Sequence, residues 1–166
     1  MLKILLSAGA AAAVLATGAH AQESQAYIGL GGARFDAEDV NLNALNVRLG
    51  ADLTEFFGIE GEGYVGVGDD TTAGVTIKLN YGLAGFVRAR APLGDGFSVH
   101  ARAGYGWFET EGSMGGVTVT EDESGFGYGV GAEYMFAGPN GVRFDYTRFN
   151  LDDDVNTWTL TYVRRF

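Results

Sequence analysis

Trp158-Thr159-Leu160-Thr161-Tyr162-Val163-Arg164-Arg165-Phe166 ends the chain, with Trp158, Leu160, Tyr162 and Phe166 on one parity and Thr159, Thr161, Val163 and Arg165 on the other. Successive side chains of a β-strand face opposite sides of the sheet, so the segment presents one oily face and one largely polar face. Its oily face is aromatic at both ends. A strand that crosses a bilayer within a closed barrel has this pattern. The other end of the chain agrees with export: Met1-Leu2-Lys3 is a short positive region, residues 4 to 17 are almost unbroken apolar, and Ala19-His20-Ala21 is an A-x-A cleavage site. We therefore expect a signal peptide over residues 1–21 and one mature domain over 22–166, about 145 residues.

A membrane-anchor helix is the competing reading of the first segment, but its apolar run is shorter than the roughly 20 residues a span requires. The chain has no cysteine, which removes a lipid-anchored form, a disulfide framework, a thiol nucleophile and a thiolate metal site. No later segment holds the 18 or so consecutive apolar residues of a spanning helix, so membrane insertion means a closed barrel. Glycine, at 27 of 166 residues against only 2 prolines, recurs inside alternating runs and makes the chain a poor helix former. A net charge of −10 argues against nucleic acid as a partner, because phosphate binding needs a basic face.

Eight alternating runs follow the expected signal: 26–35, 44–53, 56–67, 75–91, 97–108, 125–136, 142–149 and 155–166. The count is even, and most runs reach the roughly 9 to 11 residues of a tilted transmembrane strand. Short turns at 52–55, 92–96 and 138–141 alternate with mostly longer acidic connections at 36–43, 68–74, 109–124 and 150–154. Short periplasmic turns and longer outer loops are the barrel pattern. The fold class expected is therefore all-β: an eight-stranded antiparallel up-and-down transmembrane β-barrel.

Energy assigns the faces. In the fourth run Val75, Ile77, Leu79, Tyr81, Leu83, Val87 and Ala89 share one parity, and Lys78, Asn80, Arg88 and Arg90 share the other. Turning the second set to lipid would expose three basic groups at up to roughly 2 to 4 kcal/mol each, so the first set faces lipid. Tyr105 and Trp107 of the fifth run and Phe126, Tyr128 and Val130 of the sixth face outward by the same reasoning. Only the first run reads equally well either way. Aromatics near strand ends form two girdles, with Phe56, Phe57, Phe97, Tyr134, Phe136 and Phe166 toward one rim and Trp107, Phe126, Tyr128 and Trp158 toward the other.

On these residues, and on Ala26-Tyr27-Ile28-Gly29-Leu30-Gly31-Gly32, Gly125 to Tyr134 and Val142 to Arg148, the chain resembles the small OmpA/OmpX-type barrels of the porin-like outer membrane protein beta-barrel family of Gram-negative bacteria. The resemblance covers the whole mature chain. It implies an outer-membrane protein in contact with membrane lipid and lipopolysaccharide, monomeric, without cofactor, and structural or surface-interacting in role. It also implies that Trp158, Leu160, Tyr162 and Phe166 form the signal read by the barrel-insertion machinery, with Arg164 standing where an aromatic is often found. No peptidoglycan-binding domain is expected beyond Phe166.

The expected lumen holds Arg48, Lys78, Arg88, Arg90, Arg102, Arg143 and Arg165 against Asp52, Glu60, Glu62, Glu133 and Asp145, with Asn46, Asn80 and His100 among them. An eight-stranded barrel is only wide enough for side chains to fill, which favours a paired plug over a narrow porin-like ion path. Luminal glycines are expected to make room for the arginines. The outer loops carry acids and no Lys or Arg, a solvated rim available to surface ligands; Asp152, Asp153 and Asp154 are a weak candidate for Ca²⁺ or Mg²⁺. Ser98 and His100, with Glu133 or Glu62, have the residue types of a triad, but they face the lumen and no nucleophile motif surrounds them, so an enzyme is not expected. Gly125 to Gly131 lacks the following helix of a nucleotide loop. A soluble lipocalin-like barrel around a hydrophobic ligand is the runner-up, with the faces reversed.

Overall fold

The computed structural model describes residues 25–37, 40–72 and 74–166, so the expected signal peptide and the acids Glu38 and Asp39 lie outside the described residues. The strands are β1 (Gln25–Ala37), β2 (Val40–Asp52), β3 (Phe57–Gly66), β4 (Asp70–Thr72), β5 (Val75–Gly94), β6 (Phe97–Met114), β7 (Val117–Ala137), β8 (Asn140–Asn150) and β9 (Asp154–Arg165). Neighbours in sequence pair antiparallel except β3 and β4, β1 pairs with β9, and β3 pairs with β5, which closes the ring. β4 lies along β5 above the end of β3, from Asp70 opposite Ile77 to Thr72 opposite Val75. Nine strands therefore make eight staves. Closure satisfies the backbone hydrogen bonds that lipid would leave unmet.

Parity sets what each stave buries. In β9, Thr157, Thr159, Thr161 and Val163 are fully buried while Trp158, Leu160 and Tyr162 are exposed. The ambiguous first strand resolves the same way, with Tyr27 inside and Ile28 and Leu30 outside. Leu45, Val47, Leu83, Val87, Tyr105, Phe126 and Val130 form the outer surface, as do the girdle aromatics Phe57, Phe97, Tyr134, Phe136 and Phe166. An apolar exterior around buried charge is the reverse of the lipocalin arrangement.

One expected facing is overturned. The β5–β6 register shifts between Leu79, opposite Thr110, and Tyr81, opposite Glu109, leaving Asn80 as an extra residue. Such a bulge moves every side chain beyond it to the other face. Leu79 is consequently 5% exposed in the interior, with Ile77 packed against the same cluster, rather than facing lipid. Lys78, expected in the lumen, turns out instead: its side chain is 44% exposed and its Nζ lies 2.9 Å from Glu111 Oε1. Asn80, also expected inside, donates to Glu109 at 2.9 Å, and the Tyr81 hydroxyl donates to the same carboxylate at 2.8 Å.

The expected loop over 109–124 is also corrected. β6 and β7 stay paired out to Met114 opposite Val117. Gly115 (φ 57°) and Gly116 (φ 85°) occupy the left-handed region that a tight two-residue hairpin turn demands. Across its outer half β7 has β6 as its partner, since pairing with β8 begins only at Phe126 opposite Asn150. This hairpin stands above the rest of the ring.

Candidate functional site

The lumen is filled in two tiers. The lower tier brings together five buried arginines, Arg48, Arg88, Arg102, Arg143 and Arg165, with five buried carboxylates, Asp52, Glu60, Glu62, Glu133 and Asp145. Arg143 is central: its guanidinium lies 2.8 Å from Glu60 and 3.0 Å from Asp145. Arg102 reaches Glu62 at 2.6 Å and Glu60 at 3.1 Å, and Arg48 bridges Glu62 to Asp145, the latter at 2.8 Å. Toward the periplasmic end, Arg88 and Arg165 share Asp52, and Arg165 also pairs with Glu133. Equal numbers of opposite charges matter here, because an ionised group taken out of water is tolerable only with a close partner.

Arg90 lies at the edge of this tier. Its side chain is 19% exposed, 3.5 Å from Asp52, and its Nε donates to the Glu55 carbonyl at 3.3 Å. His100 Nε2 lies 2.7 Å from Asp145 Oδ1, and Ser98 sits opposite Glu133 in the β6–β7 register. The hydroxyl and imidazole share a face, as their spacing predicts, but the imidazole is held by Asp145. Asn46 is buried and accepts from the Thr161 hydroxyl at 3.4 Å.

Three neutral partners escaped the sequence reading. The Tyr27 hydroxyl donates to Glu60 at 2.7 Å, the Tyr64 hydroxyl donates to Glu62, and Thr147 accepts from Arg102 Nε at 2.9 Å. Tyr64 was legible in principle, since it shares parity with Glu60 and Glu62.

The upper tier is apolar, which the charge pattern did not reveal. Phe35, Tyr64, Phe86, Phe108 and Phe149 form a buried cluster with Leu42, Leu79 and three alanines. Phe108 packs edge-on against Phe149 at 4.9 Å and against Phe35 at 5.6 Å. Arg102 joins the tiers, its guanidinium carbon 4.4 Å from the Phe86 ring centre. The luminal glycines serve rings more than arginines. A Cβ at Gly50 would lie 2.3 Å from the Tyr27 ring, and one at Gly131 would lie 2.5 Å from His100.

Above the aromatic tier the interior opens into a cup of about 750 Å³. Phe35, Leu42, Ile77, Leu79 and Phe108 are among its lining, Met114, Val117 and Val119 of the long hairpin flank it, and Glu121, Glu123 and Asp153 also line it. Cations at the strand tops are already committed: Arg34 to Asp36 at 2.7 Å, Lys78 to Glu111, and Arg148 to Asp154. Glu121, Glu123, Asp152 and Asp153 have no ion pair among the described residues. Burial, then the charges of Asp152, Asp153 and Glu121, hold the Glu123 carboxyl above its usual range. Asp154 is thus paired with an arginine rather than joined to Asp152 and Asp153, and no cluster of three potential metal ligands forms among the described residues.

A closed ring with an apolar girdle and its charges inside is an integral β-barrel of the outer membrane. The chain belongs to the family described as "Outer membrane protein beta-barrel domain", whose model matches residues 4–166. Among solved structures it is similar to Ail, the attachment invasion locus protein of Yersinia pestis, in complex with the heparin analogue sucrose octasulfate. That match has 18% identity and a TM-score of 0.66, covering 87% of this chain and 100% of Ail. It is also similar to the N-terminal β-barrel domain of Pseudomonas aeruginosa OprF, at 14% identity and TM-score 0.65, over 86% of this chain and 97% of that domain. Neisserial surface protein A matches at 13% identity and TM-score 0.57, over 89% of this chain and 98% of that one. No curated protein matches the sequence. At these identities the likeness concerns the fold.

Proposed function

We propose that the protein is a sealed, non-catalytic barrel that strengthens the outer membrane and meets the outside world through its projecting hairpins. The observation that carries this reading is the double filling of the lumen, ion-paired below and aromatic above, at a strand number whose radius leaves space for side chains only. His100 bonded to Asp145 supports a structural role for the imidazole. Bilayer lipid is the constant partner, and the protein acts as a monomer. Trp158, Leu160, Tyr162 and Phe166, all on the outward face of β9 or just beyond it, are the surface the insertion machinery reads, after removal of a signal peptide over residues 1–21. The heparin analogue held by Ail is a polyanion; the unpaired acids around this chain's mouth would repel such a ligand.

Single-channel recording on the refolded protein in planar bilayers, with the heat-dependent gel shift as the check on folding, tests the reading. No steady conductance is expected from the shifted form. A reproducible open level would contradict a sealed lumen and promote an ion path through the charged tier.

A further inference from the structure

Apolar side chains on the outer wall have hydrocarbon to cover them, but those of the cup do not. Ile77, Leu79, Phe35 and Phe108 floor a space at the outer end of the barrel, and the long hairpin turns Val119 toward the same space. The Asn80 bulge creates this floor, since without it Leu79 would face outward and Lys78 would enter. The volume, about 750 Å³, lies within the range of small-molecule sites. Glu121 and Glu123 continue the inward parity of Val119 on β7, and Asp153 joins them from the β8–β9 loop. In the β6–β7 register Glu123 lies opposite Phe108 and Glu121 opposite Thr110, while Val119 lies opposite Gly112 nearer the turn, so the acids flank the apolar surface on one side of the cup. The nearby cations Lys78 and Arg148 are engaged by other acids.

We propose that this cup is a binding site for a cationic amphiphile: a single-chain or aryl molecule whose apolar part enters between Leu79, Ile77 and Val119 and whose ammonium or guanidinium head rests against Glu121, Glu123 and Asp153. Removing apolar surface from water drives the apolar part of the contact. The head supplies the counter-charge that these crowded carboxylates lack, offsetting the mutual repulsion that adds to burial in raising the Glu123 carboxyl. An anionic chain of the same length would meet these carboxylates as a like charge, so the sign of the head decides binding.

The full chain in phosphatidylcholine nanodiscs, with labelled Ile, Leu and Val methyls, is titrated with n-octylammonium, octanoate and 1-octanol. Octylammonium is expected to shift Ile77, Leu79 and Val119 saturably, and octanoate to leave them unmoved. The combined substitutions Glu121→Gln, Glu123→Gln and Asp153→Asn are expected to weaken octylammonium at least tenfold while leaving 1-octanol unchanged. Glu123→Gln alone provides a milder variant, and the heat-dependent gel shift verifies folding of both. Equal binding of octanoate, unchanged octylammonium affinity in the substituted proteins, or shifts confined to lipid-facing Leu83 and Leu160 would each overturn the proposal.

Discussion

Arg143→Met is expected to destabilise the barrel by about 3–5 kcal/mol, the penalty for removing one member of a buried ion pair. Its guanidinium is fully enclosed and holds Glu60 and Asp145 at once, so its loss leaves five buried carboxylates facing four buried arginines. Arg102 and Arg48 still touch those carboxylates, but both already serve Glu62. The loss is thus one of balance as well as contact. Adding Glu60→Gln restores equal numbers, and the double variant is expected to recover at least half of the deficit. Reversible urea unfolding in lipid vesicles measures both. A single variant within about 0.5 kcal/mol of the parent, the usual range of an inconsequential surface change, would mean that the tier is hydrated enough for water to replace the pair.

Val130→Arg is expected to cost about 2–4 kcal/mol, the price of placing an arginine on the lipid face near the bilayer midplane. Val130 lies midway along β7, opposite Ala101 on one side and Tyr146 on the other, and is 59% exposed in the absence of lipid. Thr120→Arg on the projecting hairpin of the same strand is the control, since that residue is exposed well above the point where β8 pairing begins. It is expected to stay within about 0.5 kcal/mol of the parent. Equal costs at the two positions would place both residues in the same solvent and deny the membrane boundary drawn here.

The barrel was legible because period-2 alternation survives across most staves, and the sign of one parity's charge decides its facing without knowledge of the neighbours. Arg88, Arg102, Glu133, Arg143, Asp145 and Arg165 were all readable in this way. Lys78 and Leu79 were not. A bulge is a property of two strands in register, and nothing within residues 75–91 shows that Asn80 lacks a partner on β6. The long hairpin was missed for a different reason: the acids between 109 and 123 resemble a solvated loop, although Val117-Thr118-Val119-Thr120 after Gly115-Gly116 carries the turn and strand propensities that the structure uses. The aromatic tier lay in plain view as Phe86, Phe108 and Phe149 on the inward parity. Charge does not mark it, because inward apolar residues do not stand out where the outside is apolar too.

Facing along β5 is the most direct test, because this one strand carries both the rule and its exception. Single cysteines at successive positions from Ile77 to Arg88, nitroxide-labelled in vesicles, report collisions with lipid-soluble oxygen and with a water-soluble nickel chelate. Oxygen maxima are expected at Leu83, Gly85 and Val87, minima at Ala84, Phe86 and Arg88, and a reversal of phase at Asn80 that leaves Leu79 shielded. Alternation running unbroken from Ile77 to Val87, or oxygen access at Arg88, would contradict the account.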